Sequence, residues 1–227
     1  MPRLLTLSLT ETTRGENDYQ VIARDLDNDR WVMVSVPREE FRSGQDVKWD
    51  LFAVTEADVE EKPRRSRPEE YVLTQASTPR LTGRYSTPDQ RIEILADLAV
   101  DSITNDIKKS PGYVGIVVVD TVQDISMSIK GHELDQNDFD PERRFFWESR
   151  IKFINDGLWW NRPCKDMRWK QYWLDVKERR EHDFEALKKK WISYISNHHT
   201  YFLIEFYAAT PRFPGKKYPV ISGVHCF

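Results

Sequence analysis

The chain has 227 residues, 39% hydrophobic and 31% charged, with a formal charge of −3. This is a polar but foldable composition, long enough for one large domain or two small ones, and it excludes a disordered chain. Nine glycines are few for a Gly-rich nucleotide fold, and no stretch approaches the roughly 18 apolar residues of a membrane span.

In chain order, Leu4 to Thr10 alternates with period two, with Leu5, Leu7 and Leu9 on one face, and predicts a strand. Tyr19–Arg24 and Trp31–Val36 are two more strands around the turn DLDNDR, whose Asp and Asn residues tolerate a tight reversal. A fourth strand begins at Val47, a Pro-broken charged loop covers 60–70, and YVL at 71–73 is a short fifth strand. Short strands with polar turns and no helix among the first four point to a small barrel, since closure removes the sheet edges. An SH3-like barrel or a small sandwich fits the same pattern.

Thr87-Pro88 has the form of a helix N-cap followed by Pro in the first turn. Ile92, Leu95, Ala99, Ile103 and Ile107 then predict an amphipathic helix over 88–109, ended by Ser110-Pro111-Gly112. Strands resume at 113–130, an acidic loop follows, and 145–155 alternates again. Asp156-Gly157 is a hairpin turn signal, with Leu158–Trp160 as the returning strand. A second helix is expected over 174–197, buried through Phe184, Leu187, Trp191 and Ile195, and 201–209 with 218–227 reads as a closing hairpin. The expected class is mainly β with α, divided as 1–75, a linker and helix at 76–110, and 111–227.

Several segments agree with one family. KWDLFAVTEA with RPEEYVL, RIKFINDGLWW with CKDMRW, and YFLIEFYAA with YPVISGVHCF follow one another as they do in the dual OB domain-containing proteins of prokaryotes, which the chain resembles. Glu69, Glu70 and Tyr71 resemble the end of that family's first barrel, and Asp156, Gly157, Cys164 and Asp166 resemble its second. The resemblance implies two tandem OB-like barrels joined by amphipathic helices, and a protein of the oligonucleotide- or nucleotide-binding class with no implied reaction.

The richest chemistry lies at 155–173, which holds four of the eight Trp among cations. Flat rings beside Lys and Arg suit stacked bases and phosphates, and equally a core with Arg stems laid over it. The candidate ligand-binding set is Trp159, Arg162, Lys165, Asp166, Arg168, Lys170 and Trp173. Adjacent strand residues face opposite ways, so Trp159 is expected outward and Trp160 inward, with Trp169 also inward. Asp166 and Arg168 read as a salt bridge or a ligand-orienting pair. Trp31 and Trp49 are expected to be core or inter-strand residues.

Residues 1–110 carry 16 Lys+Arg against 21 Asp+Glu, whereas from Arg150 onward the count is 15 against 8. The basic last third favours an anionic partner for that part only. Lys188–Lys190 and Arg179-Arg180 read as a solvated helix face or a backbone contact, and KPRRSRP at 62–68 as a solvated linker or a clamp. His198-His199 fits a helix C-terminus. Cys164, His225 and Cys226 lack the spacing of a zinc knuckle, so no metal and no cofactor is expected. Two cysteines are too few for a disulfide scaffold, and the first residues turn polar too soon for a signal peptide. A cytoplasmic protein with reduced thiols and no membrane partner is therefore expected. The leading functional expectation is non-catalytic binding of single-stranded nucleic acid or nucleotide. The alternatives are an interaction subunit of a prokaryotic defence or nucleic-acid-processing system, and a metal-dependent phosphoesterase using Asp120, Asp124, Asp135, Asp138 and Asp140.

Overall fold

The structure is a computed structural model and describes residues 1–11, 18–37, 40, 47–63, 65–129, 132–133, 147–179, 183–207 and 217–227. It is mostly β, with two sheets and a few helices. Residues 3–84 supply β1 (Arg3–Glu11), β2 (Asp18–Asp25), β3 (Arg30–Pro37), β4 (Ala53–Glu56), β5 (Val59–Glu61), β6 (Glu70–Leu73) and β7 (Arg80–Arg84). The first three form the expected antiparallel meander. Its turn is held by Asp25, whose fully buried carboxylate accepts from the N–H groups of Asp27 and Asn28 and from Arg30. β6 lies parallel to β3, β5 antiparallel to β6, and β4 antiparallel to β1. Only Ala57 and Asp58 separate β4 from β5, so the pairings run in a closed circuit, β1–β2–β3–β6–β5/β4 and back to β1. β7 adds to the outer side of β4.

The fourth strand starts later than 47. Phe52 sits at φ 58, in the left-handed region, and the strand begins after it. The sequence also hid a β-bulge between Thr6 and Ser8. Leu5 and Leu7 consequently face one apolar cluster while Leu9 packs against another, rather than all three sharing a face.

α1 (Pro88–Leu98) has its full capping box: Thr87 accepts from the Gln90 N–H, and Gln90 accepts from the Thr87 N–H. It ends at Leu98, eleven residues before the expected point at 109. Ala99–Val100 leave the helix as β8, parallel to β9 (Val114–Val118), and Ile103–Ile107 form a separate π-helical turn. Tertiary contacts override the helical period here. The Asn155 side chain accepts from the Ile103 N–H at 3.0 Å and donates to the Asp101 carbonyl at 3.0 Å. Ile107 lies directly on Gly115, where a Cβ would meet its side chain at 2.7 Å.

The chain continues through β10 (Thr121–Ile129), β11 (His132–Glu133), β12 (Trp147–Asn155), β13 (Leu158–Cys164), α2 (Met167–Arg179), α3 (Phe184–Asn197), β14 (Thr200–Tyr207) and β15 (Tyr218–Cys226). Two helices thus replace the single one expected at 174–197, with Asp183 capping the second through the Glu185 and Ala186 N–H groups. β9 pairs with β14 and, two residues on, β10 pairs with β12. β12 pairs with β13, β13 runs parallel to β15 at Cys164, and β15 pairs with β14. This circuit has the same order and directions as the first.

Three apolar clusters follow from strand alternation. Leu4, Val21, Ala23, Val32, Val34, Val36, Trp49 and Tyr71 fill the first sheet. Phe153, Phe202, Ile204, Phe206, Trp169 and Trp173 are among those filling the second, with Phe184, Leu187, Trp191 and Ile195 of α3 packed there as expected. The third joins the sheets: Leu5, Leu7, Ile22, Met33 and Phe52 meet Leu95 of α1 and Val114, Ile116, Tyr201 and Leu203. β14 is covered on both faces, which is why TYFLIEF is buried without interruption.

Candidate functional site

The β12–β13 hairpin turns at Asp156 (φ 51) and Gly157 (φ 67), a two-residue turn whose geometry matches the strand twist. It fixes the register Ile154↔Trp159, Lys152↔Asn161 and Arg150↔Pro163 on one face, and Phe153↔Trp160 and Ile151↔Arg162 on the other. Trp159 is 50% exposed, and the Lys152 ammonium lies 5.5 Å from its ring centroid. Arg150 donates through Nε to the Asn161 side chain at 3.1 Å and through a terminal nitrogen to the Asn161 carbonyl at 2.8 Å.

Trp160 is half-buried against the second core. The Arg162 guanidinium sits between the Trp160 and Tyr218 rings, 5.0 and 5.5 Å from their centroids. Burial pushes the Arg162 pKa below its ordinary value, with Tyr218 opposing and Arg150 adding to the shift. The Nε of Arg162 and the indole N–H of Trp160 are buried donors with no hydrogen-bond partner among the described residues. Neither Lys152 nor Arg162 has a carboxylate partner there. Tyr218 also touches Arg150, at 3.4 Å through its hydroxyl. On β14 it is paired with Tyr207, whose hydroxyl accepts from Lys165 and whose ring lies 5.4 Å from the Arg67 guanidinium. A strip of alternating rings and cations therefore runs from the hairpin tip across β13 to the ends of β14 and β15.

Of the seven residues expected to bind ligand, Trp159, Arg162 and Lys165 lie on this strip. Asp166 and Arg168 do not. Asp166 opens α2, accepting from the N–H groups of Arg168 and Trp169, and its second oxygen accepts from the Val224 N–H at 2.9 Å and from Arg168 at 3.0 Å. Its side chain is 3% exposed. Val224 and Tyr218 stand six residues apart on β15, about 20 Å, so this clasp is remote from the Arg162 and Tyr218 part of the strip, although Lys165 is its chain neighbour. Its salt bridge is the structural one expected, but it is made at a helix start and not along a strand. Lys170 is half-buried on α2. Trp173 is 1% exposed, edge-on to Trp169 and Tyr172, with no face open to a base. Trp159 and Trp160 divide outward and inward as alternation requires, Trp169 is buried, and Trp49 is core.

Lys152, Arg150, Asn161 and Tyr218 were missed. The first three were accessible to sequence reasoning: extending the Asp156-Gly157 turn by its two-residue register places Lys152 and Arg150 on the Trp159 face. Tyr218 enters only through the parallel pairing of β13 with β15.

Other candidates resolve differently. Lys188 is not on a solvated face but buried, paired with Glu185 at 3.1 Å and Asp124 at 3.9 Å; Lys189 and Lys190 are exposed. The side chains of Lys177, Arg179 and Arg180 lie outside the described residues. Arg67 of KPRRSRP is buried between the sheets. His198 is exposed at the end of α3, bonded to the Tyr194 carbonyl. Cys164 is a buried free thiol whose pKa burial drives up. Among the described residues no three His, Cys, Asp or Glu come together, and no helix is long and apolar enough to cross a membrane. Asp135, Asp138 and Asp140 lie outside them.

No family model matches the chain, and no curated protein matches it. Among solved structures, the crystal structure of the tetrameric p202 HIN2 aligns with 100% of this chain and 92% of that one, at 8% identity and a TM-score of 0.36.

Proposed function

We propose that this protein binds single-stranded nucleic acid on the β12–β13 face, without covalent chemistry. Trp159 stacks a base, Lys152 and Arg150 of the same face take the neighbouring phosphates, and Arg162, which belongs to the Trp160 face, takes one at the edge where it meets Tyr218. The observation that carries this reading is Trp159: half its surface is open, a cation rests against it, and Arg162 nearby meets two rings and no carboxylate among the described residues.

The fold reading that goes with it is a tandem of two OB-type barrels, over about residues 3–84 and 99–226. Its support is the shared circuit of pairings, in which the third strand runs parallel to the fifth and antiparallel neighbours close the rest. The α2–α3 pair falls between the third and fourth strands of the second circuit. Barrels of this kind bind oligonucleotides on the face of their second and third strands, which here are β12 and β13.

The test is a tryptophan-fluorescence titration with single-stranded DNA, single-stranded RNA and free nucleotides at two salt concentrations. Strand binding should weaken steeply with salt, because each phosphate contact displaces condensed counterions. Tight binding of mononucleotide without preference for a strand would replace the proposal with a nucleotide site. Absence of any binding at low salt would leave the exposed Leu158 and Trp159 as a protein-docking surface.

A further inference from the structure

The first sheet has a face equivalent to β12–β13, on β2–β3, and the two have different fates. Trp31 is the second residue of β3, as Trp159 is the second residue of β13, and both point out of their own sheet. Trp159 is open. Trp31 is half-buried and packs with the cluster that joins the sheets. Its outward neighbours Ile22 and Met33 are 0% and 1% exposed, in the cluster with Val114, Ile116, Tyr201 and Leu203. Polar fasteners surround the contact: Ser8 donates to the Ser222 carbonyl, the Tyr113 N–H to Glu69, and Arg67 to Glu205.

Charge separates the faces as well. Three cations around the β2–β3 turn each have a carboxylate: Arg3 with Asp27 at 2.8 Å, Arg30 with Asp25 at 3.0 Å, and Arg24 with Asp29. Arg24 rather than a ligand covers Trp31, 5.4 Å from its ring. Lys152 and Arg162 have no such partner among the described residues.

We infer that the β2–β3 face is a permanent dock for the second sheet, so that each chain carries one strand-binding face and takes one single-stranded oligonucleotide. This rests on the proposed function for its ligand, and on the buried contact alone for the closed face. The first barrel is then a support: it holds β9 and β14 from outside and leaves β12–β13 free.

Two measurements test it. The first titrates oligothymidylates of increasing length, from about 4 to 40 nucleotides, with native mass spectrometry for stoichiometry. Affinity should level off within the roughly 4–16 nucleotides of one barrel, with one short oligonucleotide per chain. Trp31→Phe should keep the fluorescence quenching that Trp159→Phe loses. Two short oligonucleotides per chain, or loss of quenching in Trp31→Phe, would overturn the inference. The second measurement needs no ligand. Ile22→Cys is labelled with a maleimide against the wild-type background of Cys226. Protection in the folded protein and reaction only in denaturant are expected, whereas labelling at the rate of an exposed thiol would overturn the closed face. If no strand of any length binds at low salt, the reading of the site fails and the count of one falls with it, while the labelling still decides the dock.

Discussion

Arg67, in the loop that leads into β6, and Glu205, on β14, stand 138 positions apart and form an ion pair with side chains 7% and 1% exposed. Arg67 also donates from Nε to Glu70 at 2.8 Å, and Ser222 donates to the second Glu205 oxygen at 2.6 Å. Burial works against the charge on Arg67, but Glu205 and Glu70 outweigh it and leave its pKa raised. Removing one partner strands a buried charge, which costs about 3–5 kcal/mol, whereas replacing a buried set by neutral groups costs far less. Arg67→Met should therefore destabilise strongly, and Arg67→Met with Glu205→Gln should recover part of the loss. Urea unfolding of the single and double variants measures this; additive losses would show that the two side chains do not act as a pair.

That pair also marks where sequence reasoning stopped. The meanders, the Asp156-Gly157 turn and the Thr87 cap were legible because each is set by neighbours in the chain: alternation, a two-residue reversal, a side chain reaching its own backbone. Arg67 was not, because a charged residue in a Pro-broken loop looks solvated until β14 is brought beside it. Lys188 misled for the same reason. The break after Leu98 depends on Asn155, and the position of Trp173 depends on α2 starting at Met167, earlier than its apolar spacing implied. The site was half legible. Trp159 follows from strand alternation, whereas Arg162 lies on the Trp160 face and joins the strip only through Tyr218, and the removal of Asp166 and Arg168 required seeing Val224 beside them.

His225 gives a prediction in pH. It is 1% exposed, its ring meets Phe52 edge-on at 5.2 Å, and neither nitrogen has a hydrogen-bond partner among the described residues. Burial first, then the nearby Arg168 and Arg91, lower its pKa to about 3, with Asp166 and the Leu7 carbonyl opposing. The unfolded chain takes up this proton below the ordinary value of about 6.5, and the folded chain does not until about 3. Its contribution is thus whole above pH 6.5 and declines as pH falls between those values, by about 1.4 kcal/mol per unit. Urea unfolding between pH 7 and 4 should show this slope, and His225→Phe should flatten it by up to one proton. An unchanged slope in the variant would assign the acid sensitivity elsewhere.

Asp166 and Trp173 should behave as stability residues. Asp166→Ala removes a helix cap worth about 1 kcal/mol together with the tie to Val224, and it leaves Arg168 without its carboxylate. Trp173→Ala opens the core and should cost about 3–5 kcal/mol. Binding measured well below each variant's melting temperature should match the wild type. A tenfold loss of affinity in folded Asp166→Ala would return the clasp to the binding site.

The Trp159 face admits the sharpest separation, because two neighbouring rings differ in what they touch. Trp159→Ala removes a half-exposed ring and should cost about 1–3 kcal/mol of strand binding, the worth of one stacked base, with little change in melting temperature. Trp160→Ala removes a ring packed on the core and supporting Arg162, so it should lower the melting temperature first. Lys152→Ala with Arg162→Ala should weaken every sequence alike and lower the salt slope by about 1.4, two phosphates at roughly 0.7 each for a single strand. Arg162→Lys should not restore Arg162→Ala fully, since a flat guanidinium fills the space between Trp160 and Tyr218 and an ammonium does not. If Trp159→Ala loses only stability and the salt slope is indifferent to Lys152 and Arg162, the strip of rings and cations is architecture, and nucleic acid is not its ligand.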